Sequence, residues 1–182
     1  SMSNSVEASI IDSPDVDADT GVTIHAEDAS TITNATAAAA MAVGVGAGGG
    51  AVSVAVTLVE VNYDTAVKAH IGGSDVRTTG GDVTLTALAS GTIDVEGYGI
   101  GVAVSGGAVG ISGAGTGVVT RVNAGSLVEA SIFGGSDVRA LDGAVILDAQ
   151  DQTGIDVDAL GVTLASSGGS VALSISATVI VA

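Results

Sequence analysis

The sequence predicts an all-β chain wound as a parallel β-helix (β-solenoid), right-handed, and three observations carry that expectation. The hexapeptide Gly72-Gly73-Ser74-Asp75-Val76-Arg77 returns unchanged at Gly134-Gly135-Ser136-Asp137-Val138-Arg139, and an internal period of this length marks a stacked array. Runs that alternate large with small or polar residues arrive about every ten residues, separated by Gly, Asp, Asn or Ser, which is the period-two signature of strands. The apolar residues, 47% of the chain, are nearly all Ala, Val, Ile and Leu, with one Phe, two Tyr and no Trp. An interior built from such small side chains is thin, as sequentially stacked coils require.

Taken in order, the chain 1–182 reads as one solenoid with repeat units at about 5–66, 67–128 and 129–182, the last incomplete. Ser1-Met2-Ser3 reads as a remnant of expression, and the strand-like ending Thr178 to Ala182 suggests a piece of a longer chain. Residues 6 to 11 form a short strand, and Asp12-Ser13-Pro14-Asp15 a turn. In the second unit, strands are expected at 66–71, 82–87, 92–95, 100–104, 108–112, 118–122 and 127–132. Val67, Ala69, Ile71, Val83, Leu85, Ala87, Ile93, Val95, Val102 and Val104 should point inward. Lys68, His70, Asp82, Thr84, Thr86 and Asp94 should point outward. A unit of this size divides into three coils of about 21 residues each, so about nine coils at roughly 4.8 Å spacing give a rod near 40 Å long. Gly113 to Gly117 reads as a local insertion. The competing architecture is a set of antiparallel hairpins turning at Gly49-Gly50, Gly106-Gly107 and Gly168-Gly169.

Three segments carry no charge, at 29–59, 97–120 and 159–182. Each is long enough to cross a bilayer as a helix, but their period-two alternation and their Gly and Val content oppose a helix, so no membrane insertion is expected. Twenty Asp and Glu stand against four Lys and Arg, a formal charge of −16. Such a surface repels phosphate backbones, which excludes nucleic acid as a partner, and makes cations the natural small ligands. Asp15, Asp17 and Asp19, followed by Gly21, form a candidate calcium loop, since oxygens at alternate positions can converge on a hard cation; the competing reading is a solvated turn. The absence of cysteine removes disulfides, thiolate metal sites and cysteine nucleophiles.

One run of residues resembles a known family. Gly81-Asp82-Val83-Thr84-Leu85-Thr86-Ala87, then Ile93-Asp94-Val95, the Gly-rich stretch Gly99 to Ile111, Asn123, and Val128 to Ile132 are similar to the units of the repetitive filamentous adhesins of Gram-negative bacteria, the leukotoxin-type and filamentous-haemagglutinin-type large exoproteins. The resemblance implies a structural or adhesive repeat segment, a stalk or interaction surface, of a secreted or cell-surface protein associated with the outer membrane. Its partner would be a host or cell-surface receptor or a glycan, and it brings no catalytic residues. Self-association through end-to-end or edge contacts is expected of a short array, whose terminal strands have unpaired backbone groups.

Two alternatives belong to other classes. A polysaccharide-acting β-helix enzyme needs a base beside metal-binding carboxylates in a groove; Arg77 and Arg139 are repeat equivalents, and His25 and His70 sit at outward positions without a visible partner. An ice-binding solenoid needs a Thr-x-Thr on every coil, and Thr31-x-Thr33 and Thr84-x-Thr86 supply about one per unit. The expectation is therefore a non-enzymatic module without a cofactor, Ca²⁺ excepted.

Overall fold

Three segments with one alternation, Val22-Thr23-Ile24-His25-Ala26, Val83-Thr84-Leu85-Thr86-Ala87 and Val145-Ile146-Leu147-Asp148-Ala149, lie side by side in register as neighbouring parallel strands. β-Branched and aliphatic residues at every second position leave one face of each strand apolar, and stacking like on like buries it. In the computed structural model, which describes residues 1–168 and 171–181, strands from successive repeats share sheets throughout the described residues. The described residues form β1 (Met2–Ile11), β2 (Val16–Ala18), β3 (Val22–Asp28), β4 (Thr31–Val45), β5 (Gly50–Gly72), β6 (Asp75–Thr78), β7 (Val83–Ala89), β8 (Thr92–Gly106), β9 (Ile111–Phe133), β10 (Asp137–Ala140), β11 (Val145–Asp151), β12 (Gly154–Ser167) and β13 (Val171–Val181), with no helix among them.

Four sheets result, ordered β1-β5-β9-β13, β2-β6-β10, β3-β7-β11 and β4-β8-β12. The chain is thus all-β, with parallel strands in stacked sheets, as a β-solenoid requires. The register corrects the expected coil length. Val16 pairs with Val76, Val22 with Val83, and Val83 with Val145, so the partners come from successive repeats. Each repeat contributes one rung to each sheet, so the ladder joins strands a whole repeat apart and not coils of about 21 residues. The antiparallel alternative fails too, since β1 on β5, β2 and β10 on β6, β3 and β11 on β7, and β13 on β9 are all parallel. Met2 and Ser3 already belong to the ladder, opposite Tyr63 and Asp64.

The rungs are shared between two compact units. The first holds Ser1–Thr31, Asn62–Thr92 and Ala124–Gly154. Its core is a column of Ile24, Ala26, Val67, Ala69, Ile71, Val76, Val83, Leu85, Ala87 and Ala89, flanked by Val6, Ala8, Ile10, Val128 and Ile132. The inward positions expected at 67–71 and 83–87 are fully buried. The middle rung gains most, being covered on both sides: Leu85 is 0% exposed, whereas its third-rung equivalent Leu147 is 45% exposed. The Gly-Gly-Ser-Asp hexapeptides turn the chain between sheets. Gly73, Gly134 and Gly135 take positive φ, and the Ser74 hydroxyl donates to the Gly72 carbonyl at 2.9 Å.

The second unit holds Ile32–Val61, Ile93–Asn123 and Ile155–Ala182, nearly the three charge-free segments. Its strands β4 and β5, and β8 and β9, are joined by short bends at Gly46 and Gly107, both with φ of 146°. These bends pass the chain from one sheet to another and do not close hairpins; Gly169 of the third equivalent lies outside the described residues. Here the expected facing of Val102 and Val104 is reversed. Strand β8 runs unbroken, so Ile93 and Val95, which are buried, fix the parity for every later residue. Gly97, Gly99, Gly101, Ala103 and Ser105 therefore point in, and Val104 is left 39% exposed. The inward glycines are demanded by close approach of β9: a Cβ at Gly99 would lie 2.9 Å from Val118 Cγ2, and one at Gly101 2.8 Å from the Gly115 carbonyl oxygen. Gly113 to Gly117 is no insertion, for it lies inside β9 and pairs in unbroken register with Leu173 to Ala177.

Leu85→Ala should lower the stability by about 2–5 kcal/mol, and Leu147→Ala by less than half as much, when both are measured by urea denaturation. Gly101→Val should destabilise by roughly 1–3 kcal/mol or more, because overpacking against backbone has no easy relief.

Candidate functional site

The short sheet β2-β6-β10 collects the charges of the hexapeptide repeat. In-register pairing aligns Asp75 with Asp137, and Asp17, Arg77 and Arg139 in one row. Asp15, Asp17, Asp75, Val76, Arg77, Asp137 and Arg139 line a cavity of about 270 Å³. Of the three aspartates expected to form a calcium loop, Asp15 and Asp17 therefore share this cavity with acids from two other repeats, and Asp19 is not among its lining residues. Arg139 is ion-paired with Asp137 through Nη2, so guanidinium groups compete with any cation for these carboxylates. Among the described residues, no group of three His, Asp or Glu is placed to hold a metal ion.

The histidines have partners after all. His25 Nε2 lies 3.3 Å from Glu27 Oε2 on the same exposed strand face. His70 Nε2 lies 3.3 Å from Glu7 Oε1, and its ring is tilted at 45° against Phe133, with centroids 5.3 Å apart. Outward-pointing His70 is thus covered by the first and third rungs. The same pentapeptide, Val-Glu-Ala-Ser-Ile, occurs at 6–10 and 128–132, with Val67-Lys68-Ala69-His70-Ile71 on the strand between them. Lys68 is ladder partner of Glu7, so the middle rung carries the cations that the acidic flanking rungs face.

Sequence reasoning does not single out the most strongly perturbed group. Asp28, 4% exposed, accepts hydrogen bonds from Asn4 Nδ2 at 2.8 Å, Tyr63 Oη at 2.8 Å, Thr65 Oγ1 at 2.6 Å, and the Ser30 hydroxyl and N–H. Burial alone would raise its pKa; the hydrogen bonds from Ser30, Thr65, Tyr63 and Asn4 outweigh burial and hold the carboxyl at about 2, against an ordinary 3.8. The same network, led by burial and then by the bond to Asp28, pushes the Tyr63 phenol up. A signal does exist: Asp28-x-Ser30 recurs as Asp151-x-Thr153, the local pattern in which an Asp caps its own turn. Asp151 accepts from the Thr153 N–H at 3.0 Å, and its carboxyl is lowered, chiefly by Thr153. All five donors around Asp28 come from within the fold, and its role is to tie the end of β3 to the start of β1 and the middle of β5.

No family model matches the chain, and neither does any curated protein or any solved structure. No helix of the described residues is long and apolar enough to cross a membrane.

Because Asp28 has a folded-state pKa below its unfolded one, its ionisation stabilises the fold above about pH 4 and that contribution fades as the pH falls toward 2, a total of about 2 kcal/mol. Stability measured between pH 5 and 2 should show this loss, and Asp28→Asn should flatten that part of the curve. Asp28→Ala at neutral pH should cost about 3 kcal/mol, because it leaves buried hydroxyls without an acceptor.

Proposed function

We propose that the chain is a structural and interaction module, a right-handed β-solenoid segment of a large secreted or surface-bound bacterial adhesin, and that each repeat is one coil of its winding. The observation that carries this reading is the in-register stacking of equivalent residues from three repeats, which presents one surface several times over and joins repeats only to their neighbours. Right-handedness follows the general preference of parallel crossover connections. An enzyme needs one unrepeated site of converging groups, whereas the acids and arginines of the cavity are repeat equivalents held on one another. The module's role is to hold a binding surface for a receptor or glycan away from the cell, and its acidic exterior keeps it soluble while recruiting Ca²⁺ weakly.

Pulled from its termini, such a module should release one coil at a time, each adding about 210 Å of contour length for roughly 62 residues at ~3.4 Å per residue. Single-molecule force spectroscopy reads this directly, and release of the entire chain in one low-force event would contradict a stalk. Millimolar Ca²⁺ should raise the melting midpoint by no more than about 2 °C if binding is this weak.

A further inference from the structure

The second unit carries its large apolar residues on the outside. On the outer face of the sheet formed by β5, β9 and β13, Val52, Val54, Val56 and Leu58 are 73, 64, 65 and 68% exposed, and Leu173 and Ile175 are 58 and 60% exposed. With Ile111, Val171 and Val179 on the same face, they leave on the order of 800 Å² of apolar surface open. This exceeds the roughly 300–600 Å² of the largest patch on a typical monomer and matches what one partner contributes to a standard interface. The first unit offers no such face, since its outward positions include Thr23, His25, Glu27, Lys68, Thr84 and Thr86.

Between the two ridges runs a furrow. The central strand β9 presents Gly113, Gly115 and Gly117 outward, flanked by the β5 valines on one side and by Leu173, Ile175 and Ala177, their β13 ladder partners, on the other. Packing within the chain does not call for these glycines. A Cβ at Gly115 would meet nothing closer than 3.9 Å, one at Gly117 nothing closer than 4.0 Å, and one at Gly113 nothing within 4 Å, and none of the three has positive φ. They differ in this from Gly99 and Gly101, which the opposite strand crowds. Glycine weakens a strand and in a strand interior marks close approach by another body.

We infer that this face docks a second copy of the chain. A two-fold axis lying along the strands, between β5 and β9, sets the valine ridge of each copy into the glycine furrow of the other. Gly115 and Gly117 lie beside Val54 and Val56 in their own chain, with Val54 Cγ2 3.9 Å and Val56 Cγ2 4.0 Å from a Cβ built on them, so the axis brings Val54 over Gly115 and Val56 over Gly117 in both directions. The contact is isologous and closes at two copies. The patch itself is uncharged, so association works only against the overall charge of −16, and the dimer tightens as salt screens that repulsion. The inference goes beyond the stalk reading and stands or falls without it.

Sedimentation equilibrium of the whole chain at about 50 μM in 0.15 M salt tests it, alongside Gly115→Val and Val54→Asp. The wild type should be a dimer, and both variants should be monomers, with the dissociation constant raised at least 100-fold. Gly115→Val should melt no lower than the wild type, because its side chain has room and valine suits a strand. Val54→Asp alters the opposite side of the contact and covers the case in which the glycine variant folds poorly. A monomeric wild type overturns the inference, including one that floats with phosphatidylcholine vesicles, for then the face meets lipid. Oligomers that persist in both variants also overturn it, because they arise at the open strand edges.

Discussion

Backbone hydrogen bonding between residues a whole repeat apart is the constraint on which everything else depends. A strand such as β7 has no partner within its own repeat and finds one only when β3 and β11 arrive from the repeats on either side. The ordering entropy of some sixty intervening residues opposes each first contact, so a single repeat gains too little to hold its shape, and three stacked rungs are mutually supporting. The gradient of burial follows. Val83, Leu85 and Ala87 in the middle rung are sealed, while the equivalent residues of the third rung stay partly open. Some charges are paired by the same ladder: Lys68 lies beside Glu7, and Arg77 beside Asp17.

Two ways of filling an interior coexist on these rungs. In the first unit, Val-x-Leu-x-Ala strands meet around an ordinary aliphatic column, and the buried carboxylate of Asp28 is satisfied by four side chains. In the second unit, inward Gly, Ala, Ser and Thr bring backbones together, and the hydroxyls of Ser53, Ser112, Thr116 and Thr120 lie buried without a hydrogen-bond partner. The aliphatic side chains excluded from so narrow a space go to the outer faces. Parallel sheets are ordinarily covered on both sides, and the exposed apolar face with its uncrowded β9 glycines is the surface on which the inferred second copy would sit.

Much of this architecture is legible in the amino-acid sequence. The hexapeptide repeat, the strand alternation and the shortage of aromatics point to parallel stacking, and the inward residues from Val67 to Val95 follow from parity alone. Coil length is harder to read, because turn residues recur about every ten positions and nothing local distinguishes a turn that closes a short coil from one that leads into another sheet. Val102 and Val104 are misplaced when hydrophobicity chooses the face. In an unbroken strand, the face is set by the better-buried neighbours Ile93 and Val95, and glycine goes wherever the alternation puts it. Asp28 is hidden among twenty acids, since its distinction lies in partners that come from β1 and β5. Asp15 and Asp17 are near neighbours in sequence and in the fold, but Arg77 and Arg139 join them only through the ladder.

The central claim is the pairing of whole repeats, and the natural absence of cysteine makes it directly measurable. Thr84 and Ile146 are ladder partners on neighbouring strands, so Thr84→Cys with Ile146→Cys should oxidise to a disulfide in the folded chain, neighbouring parallel strands standing about 4.8 Å apart. Lys68→Cys with Leu88→Cys, separated by about one short coil of the 21-residue kind, should remain reduced under the same conditions. Efficient closure of the second pair and none of the first would contradict the account and restore a solenoid of short coils.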